Sequence, residues 1–130
     1  MAWRVDFAPG AERDFAIILD HLTNAYVSFG EAANSAVVRA IIRVREIRAG
    51  ADRLGFAPGV GTAREDIGEG MRHVAFDRAI YWFVADADAC AVTVLAVFLA
   101  GEDHHGKMRG RLTAAVDQAR RRRSTDTGTP

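Results

Sequence analysis

Three strand-like runs follow one another between Met71 and Leu99, and no other feature restricts the fold of this chain as strongly. The run Met71-Arg72-His73-Val74-Ala75-Phe76 gives way at Asp77-Arg78 to Ile80-Tyr81-Trp82-Phe83-Val84. Asp86-Ala87-Asp88 then leads into Val92-Thr93-Val94-Leu95-Ala96-Val97-Phe98-Leu99. Each run is rich in β-branched and aromatic residues, as strands are. Parallel neighbours need a crossover of about a dozen residues, so joints this short make the three runs antiparallel.

Upstream, Trp3, Val5 and Phe7 alternate with Arg4 and Asp6, the period of a half-buried strand. Pro9-Gly10 can open a helix whose apolar stripe is Phe15, Ile18, Leu19, Leu22 and Tyr26. Glu12, Arg13, Asp14, Asp20 and Asn24 fall on the polar remainder. Ser28-Phe29-Gly30-Glu31 has the capping-box pattern, which predicts a second helix from near Phe29 to about Ala49. Its stripe is Ala33, Ala36, Val37, Ala40, Ile41, Val44 and Ile47, with Arg39, Arg43, Arg45 and Arg48 toward solvent. Two such helices joined by a short turn make an antiparallel hairpin.

Residues 50–70 are glycine-rich and read as a connector with room for a short turn at Asp66. Gly59-Val60-Gly61 lacks the Gly-Lys-Ser/Thr ending of a phosphate loop. After Leu99, Asp103 is a suitable amino-terminal cap for a last helix with the stripe Met108, Leu112, Ala115, Val116 and Ala119. The expected fold class is α+β: amino-terminal strand, helical hairpin, three further strands in a mainly antiparallel sheet, and carboxyl-terminal helix. One domain over residues 1–123 and a polar, disordered tail over 124–130 complete the expected organisation.

A length of 130 residues suits one core, and 49% apolar with 26% charged residues is an ordinary globular balance. The lone Cys90 rules out an internal disulfide and reads as a small buried strand residue. No signal-peptide pattern or membrane-length apolar run is present, so a cytoplasmic location is expected. The formal net charge of zero hides a split. Residues 1–106 carry 10 Lys and Arg against 15 Asp and Glu, and residues 107–130 carry 7 against 2. The basic end, with its Arg120–Arg123 run, suits either an anionic partner or a helix carboxyl terminus.

Taken in order, Arg72 in Gly70-Met71-Arg72-His73, the aromatic Ile80-Tyr81-Trp82-Phe83-Val84 and Val94-Leu95-Ala96-Val97-Phe98 with its polar turn resemble the RelE/ParE family of bacterial toxins. The match spans roughly residues 3–105 and is closest to the ParE-like branch. That branch implies a toxin that binds and inhibits DNA gyrase without a catalytic site of its own. It further implies a ParD-like antitoxin whose tail wraps the toxin, and no sequence-specific nucleic-acid binding by the toxin alone. Partner contacts are expected at Arg39, Arg43, Arg72, Arg78, Arg109 and Arg111.

The RelE-like branch implies the alternative, ribosome-dependent mRNA cleavage. That chemistry needs a base for the 2′-hydroxyl, cations for the phosphorane and an acid for the leaving oxygen. Arg72, Arg78, Tyr81 and His104 are the candidates, with Glu102 and His105 beside them. A chain whose only lysine is Lys107 is poor in the phosphate-binding lysines of those relatives. No cofactor is expected, and no metal: His104 and His105 would diverge by about 100° on a helix, and His21 and His73 stand apart in sequence.

Overall fold

The computed structural model describes residues 2–114. The expectations for Ala115, Val116, Ala119, the Arg120–Arg123 run and the tail fall outside the described residues. Strand β1 (Arg4–Phe7) leads into helices α1 (Pro9–Ser28) and α2 (Ala33–Gly50). A short helix α3 (Asp52–Phe56) and a two-residue strand β2 (Thr62–Ala63) follow, then β3 (Met71–Phe76), β4 (Ala79–Asp86) and β5 (Ala91–Leu99). Residues 104–114 are helical and are called α4. The five strands form one sheet in the order β1-β5-β4-β3-β2. Only the β1–β5 pair is parallel, so the sheet is mainly antiparallel and the class is α+β, as expected.

Several local expectations are corrected. The capping box does not form: the Ser28 hydroxyl donates to the Ala25 carbonyl, and Glu31 pairs with Arg39. Residues 29–32 instead make the hairpin turn, with Gly30 at φ 101°, and α2 starts after Ala32 without a side-chain cap. Cys90 is exposed rather than buried, because the joint to β5 is one residue longer than read and leaves it in the turn at φ 48°. The connector holds α3 and β2 as well as the expected turn at Asp66. Gly55 is required there, because its backbone lies against Trp3, whose N–H donates to the Gly55 carbonyl at 2.8 Å.

Strict alternation along β4 gives the sheet two apolar faces. Ala79, Tyr81 and Phe83 face the helical hairpin and join Ala11, Phe15, Ile18, Ile47, Leu54, Val92, Val94 and Val97. Ile80 and Trp82 face the other way, with Ile67, Met71, Ala96, Phe98 and Met108 of α4. On β5 the alternation is broken once. Trp82 pairs with Ala96 and Phe83 with Val94, so Leu95 is the extra residue of a bulge. That is why Val94 and Val97, three residues apart, share a face.

Asp14, expected on the polar side of α1, is only 3% exposed. Strand β1 stops at Phe7, opposite Val94, so beyond that point no strand flanks this edge of β5. The Asp14 carboxylate takes the place of a strand: it accepts the Val97 N–H at 2.9 Å and both arms of the Arg111 guanidinium, one at 2.9 Å. Arg48 is likewise not simply solvated. It lies over the rings of Phe7 and Phe15 and forms a two-pronged pair with Glu12 of α1 at 2.9 and 2.7 Å.

Two predictions follow from this packing. Asp14→Ala removes an acceptor from a buried N–H and a counter-charge from Arg111, so chemical denaturation should show a loss of about 2–4 kcal/mol. Asp14→Asn, which keeps an acceptor for Val97 but not the charge facing Arg111, should lose less; equal losses would mean that the bond to Val97 contributes nothing. In the β3–β4 turn, Asp77 and Arg78 both have positive φ, at 49° and 68°. Left-handed backbone disfavours a β-carbon, so Arg78→Gly should stabilise the fold by roughly 0.5–1 kcal/mol, and an unchanged or lower denaturation midpoint would contradict that.

Candidate functional site

The second face of the sheet carries the densest polar chemistry among the described residues. His73 on β3 stands opposite Trp82 on β4, with ring centroids 4.7 Å apart. Helix α4 then brings its first turn over the same point. Asp103 caps that turn as expected, accepting the Gly106 N–H at 3.1 Å. Glu102 steadies the approach by accepting the Leu99 N–H at 2.7 Å and the Lys107 ammonium at 2.9 Å. The ring of His104 lies 5.3 Å from that of His73, His105 lies 5.2 Å from it, and the two neighbours are 4.0 Å apart.

The hydrogen bonds assign the tautomers. The Trp82 indole can only donate, so His104 Nδ1, at 3.1 Å, must accept. The Arg64 guanidinium can only donate, so His105 Nδ1, its close neighbour, must accept as well. Both imidazoles therefore carry their proton on Nε2 and offer it as a donor. A metal would need that nitrogen as a lone pair, and among the described residues no group of three His, Cys, Asp or Glu side chains is arranged to hold one. Arg64 is itself fixed by Asp66 through contacts of 2.9 and 2.8 Å, and this pair holds the Asp66 carboxyl down to about 2.

Burial lowers the pKa of His73 from the ordinary imidazole value, and the neighbouring His104, His105 and Arg64 lower it further. His104 is lowered for the same reasons: burial first, then His105 and Arg64, opposed by Asp103 and Glu102. Both are held neutral at pH 7. The cluster can donate from two Nε2–H groups beside a fixed cation, a suitable arrangement for an anionic or carbonyl oxygen.

The residues singled out in the sequence do not converge here. Tyr81, a candidate for RNA cleavage, is buried on the opposite face and donates to the Ile47 carbonyl at 2.5 Å. Burial pushes its phenol up to about 12. Gly50 makes this possible, since a β-carbon there would stand 2.7 Å from the Tyr81 hydroxyl. Arg72 shares the Tyr81 side of the sheet and donates to the Val60 carbonyl at 3.1 Å and the Gly61 carbonyl at 2.9 Å. Arg78 is exposed in the β3–β4 turn, at the far end of β3 from Arg72.

Of the expected partner contacts, Arg39 pairs with Glu31 over the Tyr26 ring, and Arg43 donates to the Asp77 carbonyl. Arg111 is held by Asp14. Arg109 is 63% exposed and only loosely placed near Asp66, at 3.8 Å. His73, set aside in the sequence as isolated, belongs to the cluster. Pairing the two strands would have placed it opposite Trp82. Nothing in the sequence signals Arg64, which arrives through the fold of the connector.

The helical hairpin presents a second feature. Val38 and Ile42 of α2 are 57% and 53% exposed, and with Glu31, Asn34, Ser35 and Arg39 they line a shallow cleft. Val37, expected in the core stripe, is also exposed. Ile17 and Phe29 add apolar surface on α1 and at the hairpin turn. Single exposed apolar residues are ordinary on a protein surface; Val38 and Ile42, one turn apart, line the same cleft, whereas Ile17 lines another with Asp14 and Arg111.

No protein-family model and no curated protein matches the chain. Among solved structures, a chain of the chromosomal ParDE TA system from P. aeruginosa superposes with a TM-score of 0.56 at 17% identity, covering 76% of this chain and 97% of that one. A chain of the toxin-antitoxin complex RelBE2 from Mycobacterium tuberculosis aligns with a TM-score of 0.48 at 15% identity, over 78% and 95% of the two chains. The first superposition and the order of its own elements give this chain the RelE/ParE-like fold.

Proposed function

We propose that the chain is the toxin of a type II toxin–antitoxin pair, acting by binding and inhibiting DNA gyrase and neutralised by a ParD-like antitoxin. The observation that carries this reading is the dispersal of the four residues named for RNA cleavage. Tyr81 has its hydroxyl buried and bonded to a carbonyl, and Arg72 is turned onto loop carbonyls. Arg78 stands at a distant turn, and His104 lies on the other face of the sheet from Tyr81. Catalytic groups must be held close together and aligned, whereas inhibition by binding needs only a surface.

The apolar row on α2 suits an amphipathic antitoxin helix, with Arg39 and Glu31 at its border to set register. Arg78 and Arg109, the most open of the expected contacts, are the ones to meet an acidic target surface. Arg43, Arg72 and Arg111 have intramolecular partners and would contribute by holding that surface in shape. No helix of the described residues is long and apolar enough to cross a membrane.

A second reading, a ribosome-dependent mRNA interferase, draws support from one observation: the histidine cluster beside Arg64. In that case His104 and His105 would act as donors through Nε2, and the site would differ from the set Arg72, Arg78, Tyr81 and His104.

Induction without antitoxin separates the two readings. Gyrase inhibition should give filamentation and DNA-damage signalling while translation continues, and the purified chain should block supercoiling of plasmid DNA. Charge reversal at Arg78 and Arg109 should slow the onset of that block several-fold, since rim charges act mainly on association rate. Arrest of protein synthesis within minutes, with gyrase activity untouched in vitro, would reverse the assignment.

A further inference from the structure

Helix α4 is fastened to the rest of the molecule at several points, among them a contact of His105 with Arg64 and a loose one of Arg109 with Asp66. Met108 enters the second core, Arg111 reaches Asp14, and His104 accepts the Trp82 indole N–H. The contacts of the first turn are those of His104 and His105, and both sit inside the imidazole cluster. Leu112, further along, is 40% exposed and adds little. The start of α4 is therefore held through the Nδ1 atoms of two imidazoles, His104 on Trp82 and His105 on Arg64.

The assigned tautomers determine what a proton does there. His104 Nε2 already carries one, so a second must go to Nδ1, the atom that accepts from Trp82. Two N–H donors would then face each other at a separation of 3.1 Å. Protonated His73 would stand about 5 Å from both rings and add a third positive charge beside Arg64.

We infer that the first turn of α4 is a proton-operated latch, closed while His73 and His104 are neutral and released by mild acid. This goes beyond the toxin reading and does not depend on it. Of the facing groups, Arg64 and the neighbouring imidazoles favour release, and Asp103 and Glu102 oppose it at His104. From the segment before β3 come Arg64 and Asp66, and Asp66 is already committed to Arg64. From β3 comes His73 alone, and Trp82 of β4 is uncharged. From the turn and α4 itself come Glu102, committed to Leu99 and Lys107, Asp103, committed to capping, and the cations Lys107 and Arg109. Among the described residues no carboxylate is placed to receive an imidazolium of His73.

The sign follows from the direction of the shifts. His73 and His104 both lie below the ordinary imidazole value of 6.5, so the unfolded or released state binds protons first. Stability of the docked helix is complete above that value and is lost as the pH falls through it toward the lowered ones. Release would uncover Trp82, Phe98 and the rest of the second core, creating an apolar face that is closed at neutral pH.

Amide hydrogen exchange on the full chain at about pH 7.5 and about pH 5.5, corrected for intrinsic exchange chemistry, tests the latch. Protection over residues 107–112 should fall several-fold in acid, bounded at about tenfold per imidazole because a pH of about 5.5 lies about one unit below the ordinary value, while β4 and β5 hold theirs. Replacing both titrating groups, as His73→Gln with His104→Gln, keeps an acceptor for Trp82 and should abolish that difference. Equal protection of the wild-type helix at both pH values, or the same loss in the double variant, would overturn the inference. Should the double variant not fold, nuclear magnetic resonance titration of the wild-type imidazoles decides instead. His73 and His104 must then titrate below the ordinary range together with the Trp82 indole proton; titration within or above that range would refute the latch.

Discussion

The carboxylate of Asp14 is the interaction on which the arrangement of this molecule depends. Strand β1 is only four residues long and pairs with the first half of β5. The chain then leaves the sheet to form α1, which exposes the second half of that edge. An unpaired N–H in such a place costs about as much as a lost hydrogen bond. Asp14 accepts the N–H of Val97 and, on its other side, binds Arg111 of α4. One side chain thus joins the helix on the first face of the sheet to the helix on the second. The bulge at Leu95 lies just before this point and turns Val97 into the hairpin core.

Strand β4 supplies the other organising element. Its Tyr81, Trp82 and Phe83 are all at most 1% exposed, yet they serve different cores. Burying each such ring is worth roughly 1.5–3 kcal/mol, so both sheet faces must be covered, one by the hairpin and one by α4 with the turn at Ile67. The polar ends of two of these rings then determine local chemistry. The Tyr81 hydroxyl finds a helix carbonyl and is removed from solvent. The Trp82 indole finds His104 and so draws the start of α4, and the histidines on it, over His73.

Charge on this surface is largely satisfied within the chain. Most of the arginines that could have addressed a partner are occupied by Glu12, Glu31, Asp14, Asp66 or backbone carbonyls. What the hairpin leaves open is apolar: Val38 and Ile42 along α2, with Phe29 at the turn. A molecule with paired charges and an open apolar row is suited to being covered by another chain, which is the basis of the antitoxin proposal.

Element type and order were legible from the sequence because hydrophobic period is a local property. The alternation at Trp3, Val5 and Phe7, the stripe from Phe15 to Tyr26, and the tight joints at Asp77-Arg78 and Asp86–Asp88 all act over a few residues. The cap at Asp103 is local in the same sense. The capping box at Ser28 failed because a pattern of two residues cannot outweigh the geometry of the hairpin turn, in which Gly30 takes a positive φ. What tertiary structure alone decided is which polar side chains meet. His73 and His104 are separated by 31 residues in sequence and joined by strand register and helix docking, while Arg72 and Tyr81 are turned to the opposite face by the pleat. Asp14 and Arg111, 97 residues apart, had no reason to be read as partners until the shortness of β1 left an edge for them to close.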